Sequence, residues 1–300
     1  MAQSNQPPQR YSIGAAVIEA PPLAPGLYVT ATPIGHLGDI TLRALETLSA
    51  AHVILCEDTR VTAKLLNRYG IRNSLSPYHD HNAAKVRPGL LARISDGQAL
   101  ALVSDAGSPL LSDPGYKLVQ AAVEAGLAVT AIPGASAVID ALTLSTLPPD
   151  RFIFCGFLPT RSGARRHFLE ELKGIEATLI MFDTANRLCD SLEDISAVLG
   201  GRDVAVGREL TKLHEEVIRG TAIAVRDGLL ARPSLKGEIT LVVGPPGTAA
   251  LATPQAMVDT ALREALESMP ASRAAAEIAK RFGLSKQEAY ARLLELKEDN

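Results

Sequence analysis

The sequence predicts an α/β protein: two α/β domains in series, followed by a C-terminal extension of helix-turn-helix form. Three observations carry this. Short, wholly apolar runs such as residues 99–103 (ALALV) read as strands buried on both faces, which belong to parallel sheets. Helical stripes alternate with them, as in Ile40, Leu42, Leu45 and Leu48. Two proline breaks, Pro148-Pro149 and Pro245-Pro246-Gly247, divide the chain where its texture changes. The chain therefore reads as a loose tail over 1–25, a first domain over 26–133, a second over 134–247 and the helical extension over 254–300.

The 300 residues are 47% apolar, enough for two packed cores. A formal net charge of −3 gives no global basic field for non-specific nucleic-acid binding, and leaves room for a local patch. Cys56, Cys155 and Cys189 are odd in number, far apart and without a CxxC pair; they fit reduced thiols in a cytoplasmic protein and offer no structural zinc site. The first 26 residues are polar and proline-rich, unlike a secretory signal or a membrane anchor.

Residues 26–31 (GLYVTA) read as the first strand and 32–38 as a turn, with Asp39 as the N-cap of a helix. A strand over 52–56 completes a βαβ unit. No GxGxxG follows the first strand and no GxxxxGK[ST] occurs, which disfavours a nicotinamide or ATP enzyme. Glu57, Asp58, Thr59 and Arg60 end the second strand, either as a helix cap with a solvated arginine or as a charged site. His79, Asp80, His81 and Asn82 have no distant partner at metal spacing, so a polar loop or substrate contact is preferred and no metal is expected.

The strand over 99–103 ends in Ser104, Asp105, Ala106, Gly107, Ser108 and Pro109. Such small residues let a ligand lie on backbone N–H and C=O groups; an ordinary strand-to-helix turn is the alternative. A helix over 116–124, a strand over 128–132 and a third small-residue loop from Pro133 follow, opening a helix that ends near Thr146. Three such loops at the carboxyl edge of one sheet mark the place where α/β sheets take ligands.

In the second half the strand candidates are 152–155, 178–182, 203–206, 215–219 and 238–243, a more mixed pattern. Between the first two, Arg161, Arg165 and Arg166 bunch with His167 and Lys173. Guanidinium forks of this density fit phosphate, and a solvated helix face is the other outcome. Helices are expected over 254–268, 272–282 and 285–296, the last opened by the capping box Ser285-Lys-Gln-Glu288. With Arg273, Lys280, Arg281, Lys286 and Arg292, this extension suits a nucleic-acid backbone or a small packing bundle.

In matching order from about Gly26 to Gly244, TPIGHLGDITLRAL, CEDTR, LVSDAGSPLLSDPGY, IPGASA, GFLP, RELTK and KGEITLVV resemble the tetrapyrrole methylase superfamily. More closely the chain is similar to the ribosomal RNA small subunit methyltransferase I family, to which EDTR, SDAG-[ST]-P and GFLP are specific. The resemblance implies two α/β domains of the tetrapyrrole methylase type with S-adenosylmethionine in the cleft between them, a homodimer, and 2′-O-methylation of a cytidine in the decoding region of 16S rRNA, with the small ribosomal subunit as partner. It places the donor site on Pro33, on Ala106, Gly107, Ser108 and Leu111, on Ser136 and Ala137, and on Phe182, Leu210, Gly237, Glu238 and Ile239 of the second domain. Two departures stand out. His36 replaces the usual Asn, and Phe182-Asp183-Thr184 replaces Tyr-Glu-Ser, with Arg187 kept as the basic residue that follows.

Methyl transfer to a ribose hydroxyl is an in-line displacement helped by alignment and by a base. Asp105 and Asp58, the carboxylates at strand ends nearest the expected cleft, are the candidates for base or orienting group. Arg60, Arg161, Arg165, Arg166, Arg187 and Lys212 form the expected RNA path. Two other functions compete: methylation of a tetrapyrrole or other small molecule by the same fold, and a non-catalytic RNA-binding assembly factor.

Overall fold

The computed structural model describes residues 9–110, 115–247, 261–262, 265–266, 269–282 and 284–298. Part of the stretch expected as a loose tail is an ordered hairpin: β1 (Arg10–Ile13) pairs antiparallel with β2 (Ala16–Glu19). Gly14, at φ +61°, closes its two-residue turn. Tyr11 is only 2% exposed and anchors the hairpin among Leu45, Leu48, Leu65 and Leu66, while the Ser12 N–H donates to Tyr69 O. A single buried aromatic ring in a short polar segment gives almost no periodic signal, which is why composition alone reads it as a tail.

Five parallel strands make the first sheet: β3 (Gly26–Thr30), β4 (Val53–Cys56), β5 (Leu75–Pro77), β6 (Ala99–Leu102) and β7 (Val129–Ile132). Their order is β5-β4-β6-β3-β7, so β3 lies between the two strands whose carboxyl-end loops resemble its own. β4 and β6 are buried along their whole length, as their unbroken apolar runs require. Helices α1 (Leu42–Ala50), α2 (Thr59–Arg68), α3 (Asp80–Ser95) and α4 (Tyr116–Glu124) join these strands. Two expectations change here. Thr41, not Asp39, caps α1 through Ala44 N–H, because Asp39 lies inside a 3-10 turn capped by His36. His79 to Asn82 is not a loop but the start of α3, where the Asn82 side chain takes up the His79 N–H.

From Pro133 the chain crosses to the second sheet. α5 (Ala137–Ser145) packs its Val138, Ala141 and Leu142 on Ile180, Ala205 and Val242 of that sheet. The strands are β8 (Phe152–Phe157), β9 (Thr178–Thr184), β10 (Asp203–Arg208), β11 (Glu216–Thr221) and β12 (Glu238–Val243), in the order β11-β10-β12-β9-β8. β8 and β9 are parallel and the other pairs antiparallel. α6 (Ser162–Leu172), α7 (Leu188–Leu199) and α8 (Ala222–Leu230) bury Leu169, Leu192, Ile195 and Val225 in one shared core.

At the C-terminal end, α9 (Ala271–Phe282) and α10 (Lys286–Glu298) close on Ala275, Ile278, Ala279, Ala289 and Leu293. The capping box is formed: Ser285 N–H donates to Glu288 Oε2 and Glu288 N–H to Ser285 Oγ, at 2.9 and 3.1 Å. Most of the helix expected over 254–268 lies outside the described residues.

Candidate active site

Because β3, β6 and β7 are neighbours, the loops after them meet at one edge. Thr32 N–H donates to Gly107 O and Gly107 N–H to Thr32 O, at 2.9 and 3.1 Å, so the first two loops are laced like a short piece of sheet. Ser104 Oγ donates to Gly107 O from a fully buried position and fixes the bend. Gly107 is at φ +79°, and a Cβ there would come to 3.2 Å of Ile34 Cγ2. The third loop passes so close to β3 that a Cβ on Gly134 would stand 2.9 Å from Ala31 Cβ. Only small residues permit this layering.

The second domain supplies the facing wall. Phe182, on β9, is held by edge contacts with Phe154 and Phe157, ring centres 4.9 and 5.3 Å away. Gly237, at φ +106°, opens β12 where a Cβ would lie 2.5 Å from the Glu209 side chain. Glu209 and Thr211 are themselves left-handed, at φ +50° and +62°, so RELTK is a tight knot. Glu209 Oε1 accepts from Glu238 N–H and from Lys212 Nζ, both at 2.9 Å, which ties this knot to the start of β12. His36 N–H donates to Thr211 Oγ1 across the two domains, while its Nδ1 accepts from Gly38 N–H. An asparagine oxygen makes the same kind of cap, so this departure from the family pattern keeps the local geometry.

Between the walls lies a cleft of about 420 Å³. It is lined by Ala106, Gly107 and Ser108, by Ser136 and Ala137, and by Phe182, Gly237, Glu238 and Ile239, all expected from the sequence. Asp105, the nominated carboxylate, joins them; Ile34, Val138, Phe157, Asp183, Thr184 and Thr240 also line the cleft and were not assigned to the site from the sequence. Most of these additions sit next in the chain to an assigned residue, as Ile34 to Pro33, Val138 to Ala137, Asp183 to Phe182 and Thr240 to Ile239, while Phe157 belongs to the GFLP motif; that adjacency is the signal that could have found them. Pro33 instead lines a smaller hollow alongside, which shares Ile34, Asp105, Ala106 and Glu238 with the cleft. Leu210 is 6% exposed and packs behind the wall against Ile34, so it shapes the site from outside. Leu111 lies outside the described residues.

The charges in the cleft are distinctive. Its lining carries Asp105, Asp183 and Glu238 and no lysine, arginine or histidine. Asp183 is 3% exposed; its Oδ1 pairs with Arg187 at 2.9 Å, and its Oδ2 is buried with no hydrogen-bond partner. A buried carboxylate oxygen with no donor is costly unless something else supplies one.

The two nominated carboxylates differ sharply. Asp58 caps α2 through the Arg60 N–H and holds the Arg60 guanidinium at 2.6 Å; these bonds bring its pKa down to about 2, too low for a useful base. Its backbone N–H in turn donates to Asp105 Oδ1 at 3.1 Å. Asp58 therefore acts as cap and orienter, and Asp105 alone of the pair faces the cleft.

The expected RNA path divides similarly. Arg165 is 2% exposed and its guanidinium is consumed by Asp194, Pro159 O and Thr160 O, so it is a core residue unavailable to RNA. Arg166 shares Asp194 from a half-exposed position. Arg187 is occupied by Asp183, and Lys212 by Glu209 and Glu238. Burial pushes the Lys212 ammonium down, yet its two carboxylate partners prevail and leave it above its ordinary value. Arg161 and Arg60 are exposed at the surface.

Two family models match: one described as Tetrapyrrole (Corrin/Porphyrin) Methylases, over residues 26–225, and one described as RsmI C-terminal HTH domain, over residues 252–297. Among curated relatives, "Ribosomal RNA small subunit methyltransferase I" of Mesorhizobium japonicum is 52% identical over 287 residues, covering 95% of this chain and 97% of its own. Among solved structures, the cobalamin biosynthetic enzyme cobalt precorrin-4 methyltransferase superposes with a TM-score of 0.55 at 17% identity, over 76% of this chain and 96% of that one. Uroporphyrin-III C-methyltransferase from Thermus thermophilus, complexed with S-adenyl homocysteine, gives 0.50 at 18% identity, over 73% and 97%. At these identities the two structures speak for the fold.

Proposed function

Because the chain belongs to the tetrapyrrole methylase superfamily and, within it, to the ribosomal RNA small subunit methyltransferase I family, we propose that it uses S-adenosylmethionine to methylate the ribose 2′-hydroxyl of a cytidine in the decoding region of 16S rRNA. The observation that carries the donor assignment is the charge of the cleft. A donor bearing a cationic sulfur and an ammonium group suits a lining whose charged side chains are all carboxylates; Arg187 and Lys212 already balance Asp183 and Glu238, so Asp105 carries most of the attraction, and a lining without lysine, arginine or histidine disfavours a phosphate-bearing cofactor. The orphaned Asp183 Oδ2 offers an acceptor to a donor hydroxyl or ammonium, and the laced floor at Ala106 to Ser108 offers backbone groups.

Bound there, S-adenosylmethionine supplies a methyl group on positively charged sulfur. The chain's own residues do the rest. Phe182 and Ile239 exclude water, Asp58 N–H aims the Asp105 carboxylate, and Asp105 takes the proton from the attacking hydroxyl. Methyl transfer from labelled donor to small subunits lacking the modification, with mapping of the labelled ribose, tests this reading. One labelled cytidine is expected; label on a porphyrinoid alone, or none on the RNA, would sink it.

Gly107→Val should weaken donor binding at least tenfold by calorimetry with folding preserved, since the φ of +79° is strained for any side chain and the Cβ crowds Ile34. Unchanged affinity would move the donor elsewhere. Arg161→Glu should raise KM for subunits and lower the salt dependence by about one unit of slope, leaving donor binding alone. It is a cleaner probe than Arg166, whose loss also strips a partner from Asp194.

The homodimer fits the open edge of the second sheet, where β8 exposes Phe152, Ile153 and Phe157. A cytoplasmic site of action follows from the substrate; among the described residues no helix is long and apolar enough to cross a membrane.

A further inference from the structure

Asp105 lines not only the donor cleft and the small hollow beside Pro33. It also lines a third, open hollow of about 490 Å³ at the carboxyl end of β4, together with Glu57, Asp58, Thr59, Arg60, Pro77, His79 and His81. Asp105 is the one residue lining both this hollow and the donor cleft among the described residues. A group seated there places an atom beside the carboxylate that faces the donor.

The chemistry of the walls is specific. His79 and His81 present two imidazoles in edge contact, ring centres 5.9 Å apart, with the apolar ring of Pro77 in the same lining. Glu57, the residue after β4, lines the same hollow, close enough to Asp105 for the two carboxyls to act on each other. Arg60 stands at the mouth, 87% of its side chain exposed, with its guanidinium anchored on Asp58. Flat rings, a carboxyl and an arginine match the three parts of a nucleotide: base face, base edge and phosphate.

We propose that this hollow is the acceptor pocket, in which the target cytidine, turned out of its stack, lays its base against His79 and His81 and its amino edge on Glu57, with its ribose over Asp105. The proposal rests on the methyl-transfer reading above and adds the residues that select the base. A carboxyl oxygen accepts from the cytosine N4 amine, whereas uracil presents an oxygen at that position and repels it. Burial and the charges of Asp105 and Asp80 push the Glu57 carboxyl above its ordinary value. In its ionised, acceptor-only form the carboxylate takes the N4 amine and meets the uracil oxygen with like charge, so it is this form that tells the two bases apart. Turning a base out costs a few kcal/mol and suits a nucleotide held in a preformed particle.

The test uses the full chain and small subunits carrying either cytidine or uridine at the mapped position. The unaltered chain should prefer cytidine by at least thirtyfold in kcat/KM. Glu57→Gln should cut that preference at least tenfold, because an amide turned either way serves cytosine or uracil. His79→Ala should raise KM for cytidine subunits at least fivefold. Donor affinity, read by calorimetry, should stay within twofold in both variants, which also reports that they fold. An unmoved base preference in Glu57→Gln together with an unmoved KM in His79→Ala would overturn the pocket while leaving the methyl-transfer reading intact. Failure of the unaltered chain to methylate either subunit would remove both.

Discussion

Asp105→Asn should lower kcat at least a hundredfold while leaving the donor dissociation constant within about twofold. Positioned general bases contribute roughly 10²- to 10⁴-fold, and asparagine keeps the shape of the side chain and the oxygen that accepts from Asp58 N–H while discarding the basicity. Asp105→Ala removes both, so the difference between the two variants measures what orientation adds. Asp58→Asn is the matched control. Its amide oxygen still caps α2 through the Arg60 N–H, and its carboxyl is too acidic to serve as the base, so kcat should fall only severalfold. Single-turnover rates with donor and unmodified subunits, beside calorimetric donor titration, separate these outcomes. If Asp105→Asn instead abolished donor binding in a folded protein, the carboxylate would belong to donor recognition and the base would have to be sought elsewhere.

Much of this site is legible in the chain because strand ends fix where loops go. The run at β6 has no polar residue to expose, so it must be internal, and its loop must open at the sheet edge where the β3 and β7 loops also emerge. Side-chain partners are less legible. Asp183 reads as a shortened family carboxylate, but only the fold shows that one of its oxygens is consumed by Arg187 and the other left buried without a partner at the wall of the cleft. Asp58 reads as a catalytic candidate until its cap and its arginine are seen together. Leu210 carries a family position, yet packing turns it inward. Arg165 is the clearest case. A run of arginines resembles a phosphate track, and nothing local says that Asp194, 29 residues further on, waits to bury one of them.

That pairing sets the largest stability effect expected in the second domain. Asp194 Oδ2 accepts from Arg165 at 2.6 and 2.7 Å, and its Oδ1 accepts from Arg166 at 2.5 Å and Ser162 at 3.0 Å. Both partners of the Arg165 pair are 3% exposed, so neither solvent nor salt relieves a broken half. Asp194→Ala should cost about 3–5 kcal/mol and lower Tm by about 10 °C in calorimetric melting. Arg166→Ala, removing a half-exposed partner, should cost under about 1 kcal/mol. Arg165→Met combined with Asp194→Leu should recover most of the loss, because an apolar pair leaves no charge stranded. The pH dependence has a definite sign. Burial drives the Asp194 carboxyl upward, but its bonds from Arg166, Ser162 and Arg165 outweigh burial and leave it below its ordinary value. A lowered folded-state value means the contribution is fully present above the unfolded pKa of about 4 and is lost as pH falls through the folded one. The Tm gap between the unaltered chain and Asp194→Ala should therefore hold steady from neutral pH to about 5 and narrow below 4. A gap that stayed constant into strong acid would mean that Asp194 supports the helices by packing alone, with its charge immaterial to Arg165.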